Sequence, residues 1–278
     1  MDIDLLKTFL EVHRTRHFGK AAENLYLSQS AISARIRLLE DQVGAALFTR
    51  DRNDIRLTPI GRKLLSHAES IVTAWNRAKH EVSLGGEAEQ SLVVGGTPSL
   101  WDIVLQDWLH RIYKQVPGLS LTAEAASPDV LLRRLLDGTL DLALTFEGPQ
   151  IVQLNVVELP SIPLLMVSSE KGIDSQTALR KNYMLVDWGT SFLTSHARQF
   201  KDYPVPRLQL GLGRIAREFM LSLGGSAYLA EPMVKQDLKN KRLFLVKDAP
   251  VVERPVYAVY QQQHDNQRMI ENALELIT

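Results

Sequence analysis

The chain of 278 residues contains no cysteine. Disulfide bonds, zinc fingers, cysteine nucleophiles and thiol redox sensing are therefore excluded as a basis for its fold or its function. It also lacks an apolar run of about 18 residues, the length that a membrane-spanning helix needs, and its N-terminus lacks the pattern of a signal peptide. These absences predict a cytoplasmic protein without membrane contact.

An excess of charge of either sign is also missing, since 32 Lys and Arg residues balance 32 Asp and Glu residues. A protein that coats nucleic acid without sequence preference would carry a strong basic excess. The seven histidines form no HExxH motif or zinc-ligand spacing, and the chain has neither a GxSxG elbow nor a phosphate loop ending in GK[ST]. The sequence therefore predicts no catalytic residue, no metal and no cofactor, and we expect the protein not to be an enzyme.

Residues 18–58 carry the strongest positive signal. Two short helices joined by a tight connection are predicted, and the second can begin near Ser28, whose hydroxyl can cap free backbone N–H groups. Four apolar residues at spacings of 4, 3 and 4 form one stripe of that helix: Ile32, Ile36, Leu39 and Val43. The opposite face is small and polar, with one long cation: Ser30, Ser33, Ala34 and Arg37. Short side chains let a helix enter the DNA major groove, where Arg and Gln, here Arg37 with the flanking Gln29 and Arg35, can reach base edges.

A small basic hairpin follows the second helix. Leu47 and Phe48 are predicted to anchor its first strand, and a turn is predicted from Asp51 to Asp54. Three arginines surround that turn: Arg50, Arg52 and Arg56. A basic wing of this kind suits contact with phosphates or the minor groove, whereas the same charges considered alone would indicate a solvated turn.

A long helix is predicted from Pro59 to Leu84, with Thr58 as its N-cap, before Gly85 and Gly86 end it. Its apolar residues are spaced almost as a heptad repeat: Ile60, Leu64, Ala68, Ile71, Trp75, Ala78 and Val82. Such a stripe is usually intramolecular core. Because a small domain precedes this helix and glycines follow it, we expect the stripe to form a dimer interface with a second copy.

From Ser91 the pattern changes to alternating strands and helices. Strands are predicted at 91–97, 119–126 and 140–146, with helices at 99–115 and 129–136 between them, and this order predicts a parallel sheet. A small ligand would bind at the carboxyl ends of such strands. The candidate effector residues are Thr97, Pro98, Ser99, Thr145, Phe146, Trp188 and Ser191. Thr97 and Ser99 could equally be helix caps, and no Lys or Arg stands at these strand ends.

The run AAENLYLSQSAISARIRLLEDQVGAALFTR, followed by IRLTPIG, resembles the N-terminal signature of the LysR-type transcriptional regulators. The runs LLKTFLEVHRTRHFGKAAENLYLSQSA and SLWDIVLQDWLHRIY resemble the HdfR branch, which is associated with flagellar regulation. By position, the family's DNA contacts fall on Ser28, Gln29, Ser30, Ser33, Arg37 and Arg50 with its wing neighbours. Asn53 stands where the family usually has a second wing arginine, so Arg52 could replace that contact or Asn53 could read a base edge.

The resemblance implies an α/β fold class, in which an all-α winged helix-turn-helix and a long linker helix precede two Rossmann-like α/β lobes of periplasmic-binding-protein type. Two crossover strands, near Val156–Pro163 and Asp248–Pro255, should join the lobes. The expected divisions are a DNA-binding domain at 1–58, a linker helix and hinge at 59–90, lobe I at 91–160 with 255–278, and lobe II at 161–254.

The predicted function is sequence-specific transcriptional regulation on the nucleoid. The expected partners are double-stranded DNA, further copies of the chain in a homodimer or homotetramer, a small-molecule effector between the lobes, and RNA polymerase. Two alternatives remain open at this point: a bilobed metabolic enzyme, and a non-specific architectural protein of the nucleoid.

Overall fold

The computed structural model describes residues 2–51, 54–83, 90–201, 203–264 and 266–277, with backbone alone at 50, 51, 54, 80, 81, 83 and 90. The chain divides into two compact units, residues 1–87 with Asp137–Thr139, and residues 88–136 with 140–278. No helix in the described ranges has both the length and the apolar character that crossing a membrane requires.

Three helices form the body of the first unit: α1 (Ile3–Thr15), α2 (Phe18–Asn24) and α3 (Gln29–Val43). Ile32, Ile36 and Leu39 of α3 are fully buried in a core that α1 and α2 share, so three members of the predicted stripe are confirmed. The fourth, Val43, is exposed, because α3 ends there and Gly44 follows in the left-handed conformation at φ 75°.

The predicted hairpin is present as β1 (Phe48–Asp51) and β2 (Asp54–Leu57), which pair antiparallel. The carboxylate of Glu40 in α3 accepts hydrogen bonds from the backbone N–H groups of Leu47, at 2.7 Å, and Phe48, at 3.4 Å. The Phe48 ring is buried, and its centroid lies 5.3 Å from that of Phe9 in α1. One side chain of α3 thereby fixes where the wing begins.

The long helix, α4, spans Pro59–Ser83. The N-cap predicted at Thr58 is confirmed, since its Oγ1 accepts a hydrogen bond from the backbone N–H of Gly61 at 2.9 Å. A Cβ atom on Gly61 would lie 2.2 Å from the carbonyl oxygen of Leu47. Glycine is therefore required for α4 to pass this close to the wing.

The apolar stripe of α4 is not a single interface. Ala68 is completely buried, and Leu64 and Ile71 are partly buried against the same core, because α1 packs along the first half of α4. The expectation that Ala68 belongs to a dimer interface is therefore wrong. The remaining members of the stripe are exposed in the single chain: Ile60, Trp75, Ala78 and Val82.

One nine-stranded sheet organises the described part of the second unit, in the order β4-β3-β5-β11-β6-β9-β7-β8, with β10 paired to β6. The strands are β3 (Gln90–Gly96), β4 (Leu119–Ala125), β5 (Leu142–Thr145), β6 (Leu154–Ser168), β7 (Tyr183–Val186), β8 (Leu208–Leu210), β9 (Ser226–Ala230), β10 (Phe244–Leu245) and β11 (Val252–Gln261). Strand β3 runs parallel to both β4 and β5, which confirms the predicted parallel arrangement of the first lobe.

Helices cover this sheet: α5 (Pro98–Leu100), α6 (Gln106–Gln115), α7 (Pro128–Leu136), α8 (Ser175–Arg180), α9 (Thr190–Gln199), α10 (Gly213–Leu223), α11 (Glu231–Lys239) and α12 (Gln267–Glu275). The single helix predicted at 99–115 is interrupted by five residues of π-helix, Trp101–Leu105. A Cβ on Gly96 would lie 2.3 Å from Leu105 Cδ1 and 3.1 Å from Trp101 Nε1, so both ends of the π segment pack closely on that glycine.

The two crossover strands are β6 and β11, which pair antiparallel at the centre of the sheet and join a lobe on each side. The boundaries expected at 160/161 and 254/255 fall inside these strands. The register shifts between Arg254 and Val256, so residue 255 stands opposite both 160 and 161, forming a bulge. Each of the two strands therefore contributes to both lobes.

His196 of α9 lies at the centre of an aromatic cluster in the second lobe. It is buried, its ring is stacked 5.5 Å from that of Tyr183, and its Nε2 lies 2.8 Å from the Tyr183 hydroxyl. Burial lowers the pKa of His196 to about 4. The ring is therefore neutral at physiological pH and acts as a structural side chain.

Gly61→Ala should destabilise the first unit by about 1–3 kcal/mol, because the added methyl group meets backbone that cannot move aside cheaply. Thermal unfolding measures the change, with Gly211→Ala as the control, since a Cβ at Gly211 meets nothing within 4 Å. Equal melting temperatures for the two variants would contradict the close contact of α4 with the wing.

The folded protein should lose stability as the pH falls from about 6.5 to about 4. Unfolded His196 takes up a proton in this window and the folded residue does not, so its contribution is intact above the window and declines by up to about 3 kcal/mol through it. Urea unfolding of the parent and of His196→Gln checks this, with exposed His110→Gln as the control. Parallel pH profiles for the parent and His196→Gln would refute the assignment.

Candidate nucleic-acid interface and ligand cavity

The outward face of α3 is exposed on the surface of the first unit. Gln29, Ser30, Ala34 and Arg37 are exposed, and Ser33 is half-buried beside them. Ser28 is also exposed, and its Oγ accepts a hydrogen bond from the backbone N–H of Ala31 at 3.2 Å, as an N-cap does. The face therefore combines short side chains with one amide and one guanidinium at helical spacing.

Arg35 does not belong to this face. Its Nη1 donates a hydrogen bond to Thr8 Oγ1 at 3.4 Å, and its Nη2 lies 3.8 Å from a carboxylate oxygen of Asp4, both in α1. The guanidinium thus connects α3 to α1 within the domain. The expectation that Arg35 contacts DNA is corrected accordingly. Its partners lie in α1, outside residues 18–58, from which that expectation came.

The wing is only partly described. Arg52 and Asn53 lie outside the described residues, as does the side chain of Arg50, so their predicted roles remain predictions. Thr49 Oγ1 donates to the carbonyl of Arg56 at 3.2 Å across the hairpin. The strands that carry these residues are thus held in register up to the turn.

Tyr26 is a feature that the sequence reasoning did not single out. It lies in the connection between α2 and α3, in a left-handed conformation at φ 55°, and is 96% exposed. An aromatic residue between two alanine-rich helix turns was the available signal. Tyr26 lies two residues before Ser28, the N-cap of α3, so an exposed phenol is present close to the start of that helix in the chain.

A cavity of about 310 Å³ lies where strand ends of the two lobes meet. This interlobe cavity is lined by Thr97, Ser99, Pro128, Phe146, Glu147, Asp187, Trp188, Gly189, Thr190 and Arg254. Four of the predicted effector residues are therefore brought together: Thr97, Ser99, Phe146 and Trp188. Trp188 is held there by its indole N–H, which donates to the carbonyl of Tyr228 at 2.9 Å, and it meets Phe146 edge to face.

The other three predicted residues do not line this cavity. Thr145 lines a neighbouring cavity of about 200 Å³ beside α7, which shares Pro128 and Glu147 with the interlobe cavity, and its hydroxyl donates to the carbonyl of Glu147 at 2.8 Å. Pro98 and Ser191 are absent from both linings. Alternation along the strand explains why Thr145 and Phe146 line different cavities, because successive side chains of β5 and of the residue after it point to opposite faces of the sheet.

Arg254 of β11 overturns the expectation that the strand ends offer no cation. Its side chain is 3% exposed, and its Nη2 lies 3.4 Å from a carboxylate oxygen of Glu147. Its Nε donates to the carbonyl of Trp188 at 2.7 Å, and its guanidinium carbon lies 5.1 Å from the centroid of Phe146. Burial lowers the pKa of Arg254, and Glu147 opposes that shift. A charged residue within the predicted crossover strand was the signal that could have identified it.

The hydroxyl of Thr97 has no hydrogen-bond partner among the described residues, although the side chain is only 7% exposed. Thr97 occupies the N-cap position of α5, but its hydroxyl makes no cap hydrogen bond, so the alternative that Thr97 serves as a helix cap through its hydroxyl is wrong. Within the same described ranges, no group of three His, Asp or Glu residues could hold a metal ion.

Two family matches together cover nearly all of the chain. Residues 3–62 match the family described as bacterial regulatory helix-turn-helix protein, lysR family, and residues 85–278 match the LysR substrate binding domain.

Among curated proteins, the chain is 40% identical over 284 residues to the HTH-type transcriptional regulator HdfR of Yersinia enterocolitica, covering 99% of this chain and 96% of the relative. HdfR of Yersinia pestis is 39% identical with the same coverage. Among solved structures, the LysR family regulator CbnR superposes with a TM-score of 0.80 at 17% identity, covering 100% of both chains. Vibrio fischeri DarR, solved in complex with DNA, has a TM-score of 0.58 at 22% identity, covering 99% of this chain and 98% of that one.

Proposed function

This chain belongs to the LysR family of bacterial DNA-binding transcriptional regulators, and we propose that it reads one specific promoter site with two copies of α3 and its wing, under the control of a small molecule in the interlobe cavity. Like its family and its relatives, it is a transcriptional regulator and not an enzyme. The observation that carries the proposal is the exposed face of α3, where Gln29, Ser30, Ala34 and Arg37 stand together.

Docking follows from the chemistry of that face. The short side chains of Ser30 and Ala34 let the helix axis approach the groove floor, while Arg37 reaches a guanine edge and Gln29 an adenine edge. Ser28 and Tyr26, at the start of the helix, reach the phosphate backbone and set the register. The wing contributes Arg50, with Arg52 and Asn53, to phosphates or the minor groove.

A pair of DNA-binding domains is needed because one domain carries little net charge. Between residues 28 and 62 there are six basic residues and four acidic ones. Non-specific attraction by so small an excess is weak, so two linked domains gain affinity by binding together. This also distinguishes the protein from a non-specific nucleoid-architectural protein, whose affinity would depend on net charge.

The exposed half of the α4 stripe supports a homodimer as the minimal assembly. Trp75 is 47% exposed and Val82 is 82% exposed, which are large apolar surfaces for a solvated helix. A second copy of α4 would cover Ile60, Trp75, Ala78 and Val82, while Leu64, Ala68 and Ile71 remain in the core of the domain. Two such dimers would give the homotetramer.

We assign 1–58 to DNA binding, 59–90 to dimerisation and hinge, and the two lobes to effector control and RNA polymerase contact. The working location is the cytoplasm, on the nucleoid. The HdfR-like sequence supports motility genes as targets, and genome-wide footprinting of the bound protein tests that assignment; sites far from motility promoters would exclude it.

Arg37→Ala should weaken binding to the footprinted operator by about tenfold or more, because a base contact in the major groove contributes about 1–3 kcal/mol. Ser33→Arg should lose specific binding by obstructing the groove. Competition against unrelated DNA measures the loss, and Arg14→Ala, which removes the same charge from exposed α1, is the control. A parental footprint for both α3 variants would show that the reading face lies elsewhere.

Trp75→Glu should convert the dimer to a monomer at micromolar concentration, since a carboxylate would be buried in an apolar seam without a partner. Light scattering measures the mass. Asn76→Glu adds the same charge one position further, about 100° around the helix, and should remain dimeric. Dimers of equal stability in both variants would remove α4 from the interface.

A further inference from the structure

The interlobe cavity holds fixed charges of both signs. Arg254 is buried at its wall, while Glu147 and Asp187 stand at its rim, where Glu147 is 61% exposed and Asp187 is also exposed. A cavity with one cation and two carboxylates does not suit a ligand of one sign. An anion would meet both acids, and a simple amine would meet the guanidinium.

The pairing of Arg254 with Glu147 is incomplete. A guanidinium has five N–H donors, and among described residues Arg254 uses one on Trp188 at 2.7 Å and one on Glu147 at 3.4 Å. The second contact is long, and its carboxylate is largely solvated, so it is weak and easily exchanged. A ligand carboxylate reaching Arg254 inside the cavity could form two parallel hydrogen bonds in a drier place.

The surroundings of Arg254 favour an anionic group at that point. The N-terminus of α9 lies at the cavity wall, which Gly189 and Thr190 line, and Asp187 Oδ1 accepts a hydrogen bond from the Gly189 N–H there at 2.8 Å. A Cβ at Gly189 would lie 2.5 Å from Arg254 Nη2, so glycine lets the guanidinium and the helix end approach the same space. The guanidinium carries a full positive charge, and the N-terminus of the helix carries a partial positive charge.

Thr97 supplies the independent sign that a ligand belongs here. Its hydroxyl is buried at the cavity wall and unpaired among the described residues. Burying such a group without a partner costs free energy that a polar ligand group would restore. A hydroxyl both donates and accepts, so it can bind either end of a ligand.

We propose that the interlobe cavity binds a small zwitterion of the amino-acid class, whose carboxylate replaces Glu147 at Arg254 and whose ammonium pairs with the released Glu147. Thr97 binds the same ligand through its hydroxyl. The volume of about 310 Å³ suits a molecule of this size. The inference rests on the proposed function, which makes this cavity the effector site, and adds the chemistry of the effector.

The test uses the full-length protein and the twenty proteinogenic L-amino acids as probes in thermal-shift assays, followed by calorimetry. For each amino acid that binds, the decarboxylated amine and the deaminated acid are measured beside it. We expect at least one amino acid to raise the melting temperature, with both analogues at least about tenfold weaker, because each loses one charged hydrogen bond.

Three variants identify the contacts. Arg254→Gln should weaken the amino acid and the deaminated acid alike, whereas Glu147→Gln should weaken only ligands that carry the ammonium. Without ligand, Thr97→Val should have a melting temperature no lower than that of the parent, because the substitution removes an unpaired hydroxyl. It should nevertheless bind the amino acid more weakly than the parent does. Arg180→Gln, an exposed cation of α8 outside the interlobe cavity, is the control and should bind as the parent does.

Binding that is unchanged in Arg254→Gln and Glu147→Gln would overturn the proposal. So would a complete absence of amino-acid binding by a parent protein that still binds its operator. The operator footprint of the ligand-free parent distinguishes failure of the proposed function from failure of the zwitterion proposal. Loss of the footprint counts against the proposed regulator. An intact footprint without amino-acid binding counts against the zwitterion alone.

Discussion

The antiparallel pairing of β6 with β11 is the constraint on which the second unit depends. The paired register runs from Val252 opposite Leu164 to Gln261 opposite Leu154, so each strand crosses from one lobe to the other. Because both crossovers lie side by side at the centre of the sheet, the lobes share a hydrogen-bonded core instead of a flexible linker. The buried guanidinium of Arg254 is carried by this pair and is therefore positioned by backbone hydrogen bonds as well as by its own contacts.

Local patterns were sufficient for the elements whose stabilisation is local. Residues close together in the chain determine three of these elements: the α3 stripe, the cap at Thr58 and the hairpin that begins at Phe48. The parallel order of β3, β4 and β5 follows from alternation of strands and helices with one handedness of crossover. Fold class was therefore readable from the sequence.

Three of the corrected expectations share one cause, which is a partner distant in the chain. Arg35 is held by α1, Ala68 is covered by the domain core, and Arg254 reaches carbonyl and carboxylate groups 66 and 107 positions away. Thr145 was assigned to the wrong cavity by a single step of strand alternation. Periodicity predicts which face a residue takes, but it does not identify the element that arrives to cover that face.

The bulge beside Arg254 ties the shape of the cavity to chain length. Residue 255 faces two residues of β6, so deleting one of them would leave Arg254 opposite Ile162 and Val256 opposite Leu159. A bulge bends the strand that carries it and increases its local twist, so the deletion would straighten β6 where it passes Arg254. In descendants of this chain, a single codon lost at 160 or 161 would change the geometry around the buried cation while every side chain of the cavity wall stayed the same.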